Sequence, residues 1–86
     1  MSYELHVAND AHADFRQLEA WLQEEVIDEL ELVAADPDLI GPASEELEQS
    51  YFFTVLVDGL ARVVLITLSR NDDAQIIYVL GVTLFD

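Results

Sequence analysis

Arg62 stands in the stretch DGLARVVLITLSR, residues 58–70, among Leu60, Val63, Val64, Leu65 and Ile66. With Arg16 and Arg70 it makes up the whole Lys and Arg complement of a chain that has 18 acids and no lysine. A guanidinium in an apolar strand either pairs with a carboxylate or holds an anionic ligand, because a buried charge without a counter-charge is costly. By period two Arg62 shares a face with Leu60, Val64, Ile66 and Leu68. The expectation is a structural pair with Asp14 or with an acid at 45–48, and a residual anion site is the alternative.

The remaining polar residues offer less. His6, His12, Asp10 and Asp14 lie near one another in sequence, but only the two aspartates have clean helical spacing and no zinc pattern is met. Acids at the start of a helix suit its dipole. Ser44, Ser50 and Ser69 have neither a glycine elbow nor a neighbouring histidine. Asp72-Asp73 is too short for a calcium loop and reads as a turn. No metal, no cofactor and no catalytic set is therefore expected. Trp21 falls off the apolar stripe of its helix and is either an exposed anchor for a partner or a group buried at the sheet edge.

These residues need elements to position them. YELHVA, residues 3–8, alternates as a half-buried strand, with Tyr3, Leu5 and Val7 on one side and Glu4 and His6 on the other. Asn9 and Asp10 offer an N-cap. Ala11, Phe15, Leu18, Leu22, Val26, Leu30 and Val33 then recur at helical spacing. One helix from Asp10 to Ala35 would be about 39 Å long, too long for a domain whose radius of gyration should be about 12 Å. Two helices packed as a hairpin are expected, with the break near Gln23–Glu25. Asp36-Pro37 ends the helical region. A loop follows to Ser50, with room for one helical turn at Ser44–Glu48.

From Tyr51 the texture changes to aromatic and β-branched residues. Strands are expected at 51–57, 60–68 and 76–85, the first two joined by a hairpin at Asp58-Gly59, with SRNDDAQ as a polar turn before the third. All three are apolar on both faces, whereas an antiparallel sheet with one wet face should alternate. Two short helices can cover one face only. A homodimer or a small protein partner on the sheet is the physical expectation.

The net charge is −15, and residues 1–50 hold 14 of the acids and a single base. Such a surface repels phosphate backbones and disfavours direct nucleic-acid binding. It is either a solvated face of the kind salt adaptation favours or one that meets a basic partner. The 86 residues read as a single domain. The absence of cysteine excludes disulfides and thiolate metal sites. With no membrane span and no leader pattern, a cytoplasmic location is expected.

The β-α-α-β-β-β order and several segments resemble the RelE/ParE superfamily of toxin–antitoxin toxins. YELHVANDAHADFRQL resembles the family's opening strand and first helix, with Ala11, Asp14 and Leu18 in place. AADPDLIG resembles its helix end, at Pro37 and Gly41. ELEQSYFFTVLVDGLARVVLITL resembles its central hairpin, with Arg62 on the family's arginine, and QIIYVLGVTLFD its closing strand. The resemblance implies an α+β fold, a helical hairpin packed on a small, mainly antiparallel sheet over residues 1–86. It implies a toxin-like protein with an antitoxin-like partner.

Ribonucleolytic members use lysines, arginines and often a terminal tyrosine. Here Val82, Thr83 and Leu84 stand where basic residues would be expected, and Phe85 stands near the tyrosine. Phe85 can stack but cannot exchange a proton. Of the family set only Arg62 remains. The absence of the others weighs against enzymatic activity and for action by protein binding, with Trp21 and Phe85 as candidate partner contacts. The alternative is a stand-alone acidic interaction or dimerisation domain that has lost the toxin role.

Overall fold

A computed structural model describes residues 2–40 and 48–85. Its elements are β1 (Glu4–Val7), α1 (Asn9–Arg16), α2 (Ala20–Ala35), a 3-10 turn (Pro37–Ile40), β2 (Gln49–Val57), β3 (Leu60–Asn71) and β4 (Ile76–Phe85). This is the β-α-α-β-β-β order expected from the sequence. The strands form one sheet in the order β1-β4-β3-β2, with β1 parallel to β4 and the other pairs antiparallel. Among the described residues no helix is long and apolar enough to cross a membrane.

The helical region divides in two, but at Gln17–Glu19 rather than at Gln23–Glu25. No glycine or proline marks this break. Tight bonds close it instead: the Gln17 N–H donates to Asp14 O and the Leu18 N–H to Phe15 O. The Gln23 side-chain amide then donates to Leu18 O at 2.9 Å. The apolar stripe continues across the break, which is why periodicity alone misplaced it. The expected N-cap also differs. Ala8 occupies that position with no side-chain bond, and Asn9 is already helical.

One face of the sheet carries the core. Val64, Ile66, Leu68, Ile77, Val79 and Val82 pack against Ala11, Leu22, Val26, Leu30 and Val33 of the helices, all buried. Tyr51 lies at the edge of this layer, where its hydroxyl donates to Glu29 Oε2 of α2 at 2.7 Å. That bond, then burial, pushes the Tyr51 phenol up to about 12. The Asp58-Gly59 hairpin forms as expected, with both residues at positive φ, 53° and 80°.

β3 runs three residues beyond its expected end, so that Ser69, Arg70 and Asn71 are strand rather than turn. Arg70 thereby reaches the core side, opposite Ile77, and its side chain is only 7 % exposed. Its Nε and Nη2 donate to the two oxygens of Asp72 at 2.9 and 3.2 Å, and its Nη1 donates to Pro37 O at 2.9 Å. Tyr3 stacks near the guanidinium and donates its hydroxyl to Asp72 Oδ1 at 2.8 Å. One arginine so ties the β3–β4 turn, the turn after α2 and the N-terminal segment together. Its hydrogen bonds, ahead of those from Tyr3, hold the Asp72 carboxyl below its ordinary 3.8.

Candidate interaction surface

The helices lie on one side of the sheet, and the other side carries a second apolar row. On β2 the outward side chains are Phe52, Thr54 and Leu56; on β3 they are Ala61, Val63 and Leu65. Register places Phe52 opposite Leu65 and Leu65 opposite Thr83, while Thr54 faces Val63 and Val63 faces Phe85. Phe52 is 60 % exposed, Leu56 69 % and Phe85 47 %. Exposed apolar side chains gathered on one sheet face are the usual mark of a surface that meets another molecule.

A bulge in β4 builds this surface. Thr67 pairs with Gly81 and Leu68 with Val79, which leaves Leu80 without a partner across the ladder. The extra residue shifts the phase of everything after it. Ile77 and Val79 face the core, and so do Val82 and Leu84 beyond the bulge. Thr83 and Phe85 are therefore turned outward. Strict alternation from Val79 would have sent Phe85 inward. Asp14 of α1 holds the site of the shift, with Oδ2 accepting the Val82 N–H at 3.2 Å. The aspartate expected to face Arg62 thus serves the sheet backbone.

Arg62 lies on the core-side row of β3, opposite buried Val55, and is itself half-buried. It is held by at least one polar or charged interaction. Residues 45–47, which include two of its expected acidic partners, lie outside the described residues, as does most of the helical turn expected at Ser44–Glu48. Trp21 is 39 % exposed on α2, and its indole N–H donates to Glu19 Oε2 at 2.6 Å. It belongs to the helical side of the sheet, whereas Phe85 is turned to the other side. The structure does not bring the candidate contacts into one site.

The two histidines are separated as well. His6 faces outward from β1, bonded to Glu4 at 3.0 Å and edge-on to the Tyr78 ring, while His12 belongs to α1 on the opposite side of the sheet. Among the described residues no group of His, Asp or Glu comes together to hold a metal. The outward rows of β2, β3 and β4 contain no lysine or arginine. What they offer chemically is apolar and aromatic contact, with threonine hydroxyls between.

This fold, a helical pair on one face of a four-stranded sheet with a parallel first strand, is that of the RelE toxins. The chain superposes on RelE in the intact E. coli RelBE toxin–antitoxin complex with a TM-score of 0.70 and 17 % identity, over 94 % of each chain. A double arginine-to-alanine mutant of E. coli RelE in the free state gives 0.71 and 17 %, over 95 % of this chain and 82 % of that one. The Mycobacterium tuberculosis RelBE2 complex gives 0.76 and 13 %, over 96 % and 91 %. No family sequence model matches the chain, and no curated protein does. The likeness is one of fold.

Proposed function

We propose that this chain is a toxin-like protein of a toxin–antitoxin pair that acts by binding protein and has no ribonuclease activity. The observation that carries this reading is the outward sheet face, which has Phe52, Leu56, Val63 and Phe85 exposed and no lysine or arginine. A ribonuclease must neutralise phosphate charge and stabilise the charge that develops during cleavage. A face of this composition does neither, and the −15 charge opposes approach of an RNA backbone. Arg62 is a structural residue in this reading. Phe85 is a partner contact on the sheet, and Trp21 is a separate contact on the helices. The partner is a small protein that covers the sheet face, in the manner of an antitoxin.

The test has two arms. Purified protein is incubated with free RNA and with translating ribosomes, and cleavage is mapped. No specific cleavage is expected; cleavage that disappears in Arg62→Ala refutes the proposal. The chain is also expressed alone and with the product of any small adjacent reading frame. Growth arrest relieved by that product, and lost in Phe52→Ser/Leu56→Ser, is the expected result. The exposed face equally suits a stand-alone dimerisation domain. That second reading gains if expression is harmless and sedimentation shows a dimer that the same double variant dissociates.

A further inference from the structure

The helical side of the sheet has an apolar feature of its own. Between α1, α2 and the end of β1 lies an open cleft of about 210 Å³, lined by Val7, Ala11, Phe15, Ile27, Leu30 and Val82, among others. Val7 and Ile27 are 48 % and 43 % exposed, so the cleft is not closed by its own walls. Its size suits one large side chain rather than a drug-sized ligand.

The walls differ in charge. Ile27 is flanked on the same face of α2 by Glu24, three residues before, and Glu31, four residues after, both exposed. α2 as a whole carries Glu24, Glu25, Asp28, Glu29 and Glu31 and no base. The α1 wall presents His12 to the cleft, with Arg16 one turn further on and Asp10 and Asp14 on the same helix. The apolar floor is thus bounded by a strongly acidic wall on one side and a mixed one on the other.

We propose that this cleft receives an apolar anchor from a cationic amphipathic helix of a partner chain, with the partner's lysines or arginines lying along α2. The helix-in-groove mode requires an apolar slot and lets flanking charges set orientation. A second copy of this chain is a poor occupant, because it would lay one acidic α2 near another. The cleft is on the opposite side of the sheet from Phe52 and Phe85, so the inference stands or falls apart from the sheet-face reading.

The probe is a helical peptide of about five turns with one face of leucine and the other of lysine. Its controls are a peptide of equal charge with glutamine for leucine, and one with glutamate for lysine. Binding is measured by calorimetry at near-physiological salt, and the contact surface by amide chemical shifts. The leucine–lysine peptide should bind and shift amides around Val7, His12–Phe15 and Glu24–Glu31. Ile27→Gln, at an exposed position, should weaken it about tenfold or more. Glu24→Gln/Glu31→Gln should weaken it severalfold and flatten its salt dependence. Both variants should keep the wild-type circular dichroism. Equal binding by the glutamine peptide, indifference to Ile27→Gln, or shifts centred on Phe52 and Leu56 overturns the proposal. Binding of the glutamate peptide, or none by any peptide, does so as well.

Discussion

At the scale of single residues the structure is decided by arginine and tyrosine geometry. Arg70 is the buried fork of this protein, and its planar guanidinium reaches Asp72, Pro37 O and Asp38 from one position. Arg70→Ala should lower the unfolding free energy by about 1.5–3 kcal/mol, the range for hydrogen bonds to charged groups. The half-exposed Asp72 keeps the ion-pair part small. Arg70→Lys should recover only part, because lysine cannot donate to both oxygens in plane. Urea denaturation checks both; an unchanged midpoint in Arg70→Ala would reject the clamp. Tyr51 makes a different prediction. Its bond to Glu29 favours the neutral phenol, so its folded pKa is raised, and the stability it contributes is intact below pH 10 and lost as pH rises towards 12. A tyrosinate absorbance titration of the folded protein should show a late step near 12 that Tyr51→Phe removes. Asp72 is shifted the other way. Its contribution is present above 3.8 and lost as pH falls through its lower folded value.

At the scale of elements, the hairpin and the bulge determine what faces outward. Gly59 has φ +80° and nothing within 4 Å of where a Cβ would lie. Gly59→Ala should therefore cost about 1–2 kcal/mol from backbone strain alone, with no clash. Thermal unfolding will show it, and a neutral result would mean that the turn relaxes to another type. The same hairpin was legible in the sequence because its signal is local: two residues that tolerate positive φ between apolar runs. The helix break was not. Ala11, Phe15, Leu18, Leu22 and Val26 keep one phase across Gln17–Glu19, and the break is closed by backbone bonds from the Gln17 and Leu18 N–H groups, which leave no mark in the residue types. The β4 bulge is equally invisible in IIYVLGVTLF, since every residue around Leu80 except Gly81 and Thr83 is apolar and either phase satisfies the pattern.

At the scale of the whole molecule the charge is segregated, with acidic helices on one side of the sheet and uncharged outward rows of β2, β3 and β4 on the other. Self-repulsion of a −15 chain destabilises the compact state. Raising sodium chloride should increase the melting temperature, since salt screens exposed like charges more than it weakens the hydrogen bonds of the buried Arg70 guanidinium. A fall in melting temperature would mean that ion pairs outweigh repulsion. The sequence by itself determined the element order, the two-sided apolar strands and the acidic helical half, because each follows from local periodicity or composition. It also located Phe85 near the end of the closing strand and Trp21 off the helical stripe. Only the tertiary structure decided that Arg70 rather than the turn around it is buried and that Phe85 points away from the core. The cleft between α1 and α2 likewise appears only there. Each depends on groups distant in sequence brought together by the fold: Tyr3 with Asp72, Asp14 with Val82, and Val7 and Ile27 as walls of one cleft. Residue spacing along the chain carries no record of such meetings, because they are set by how the layers pack and not by the pattern within any one of them.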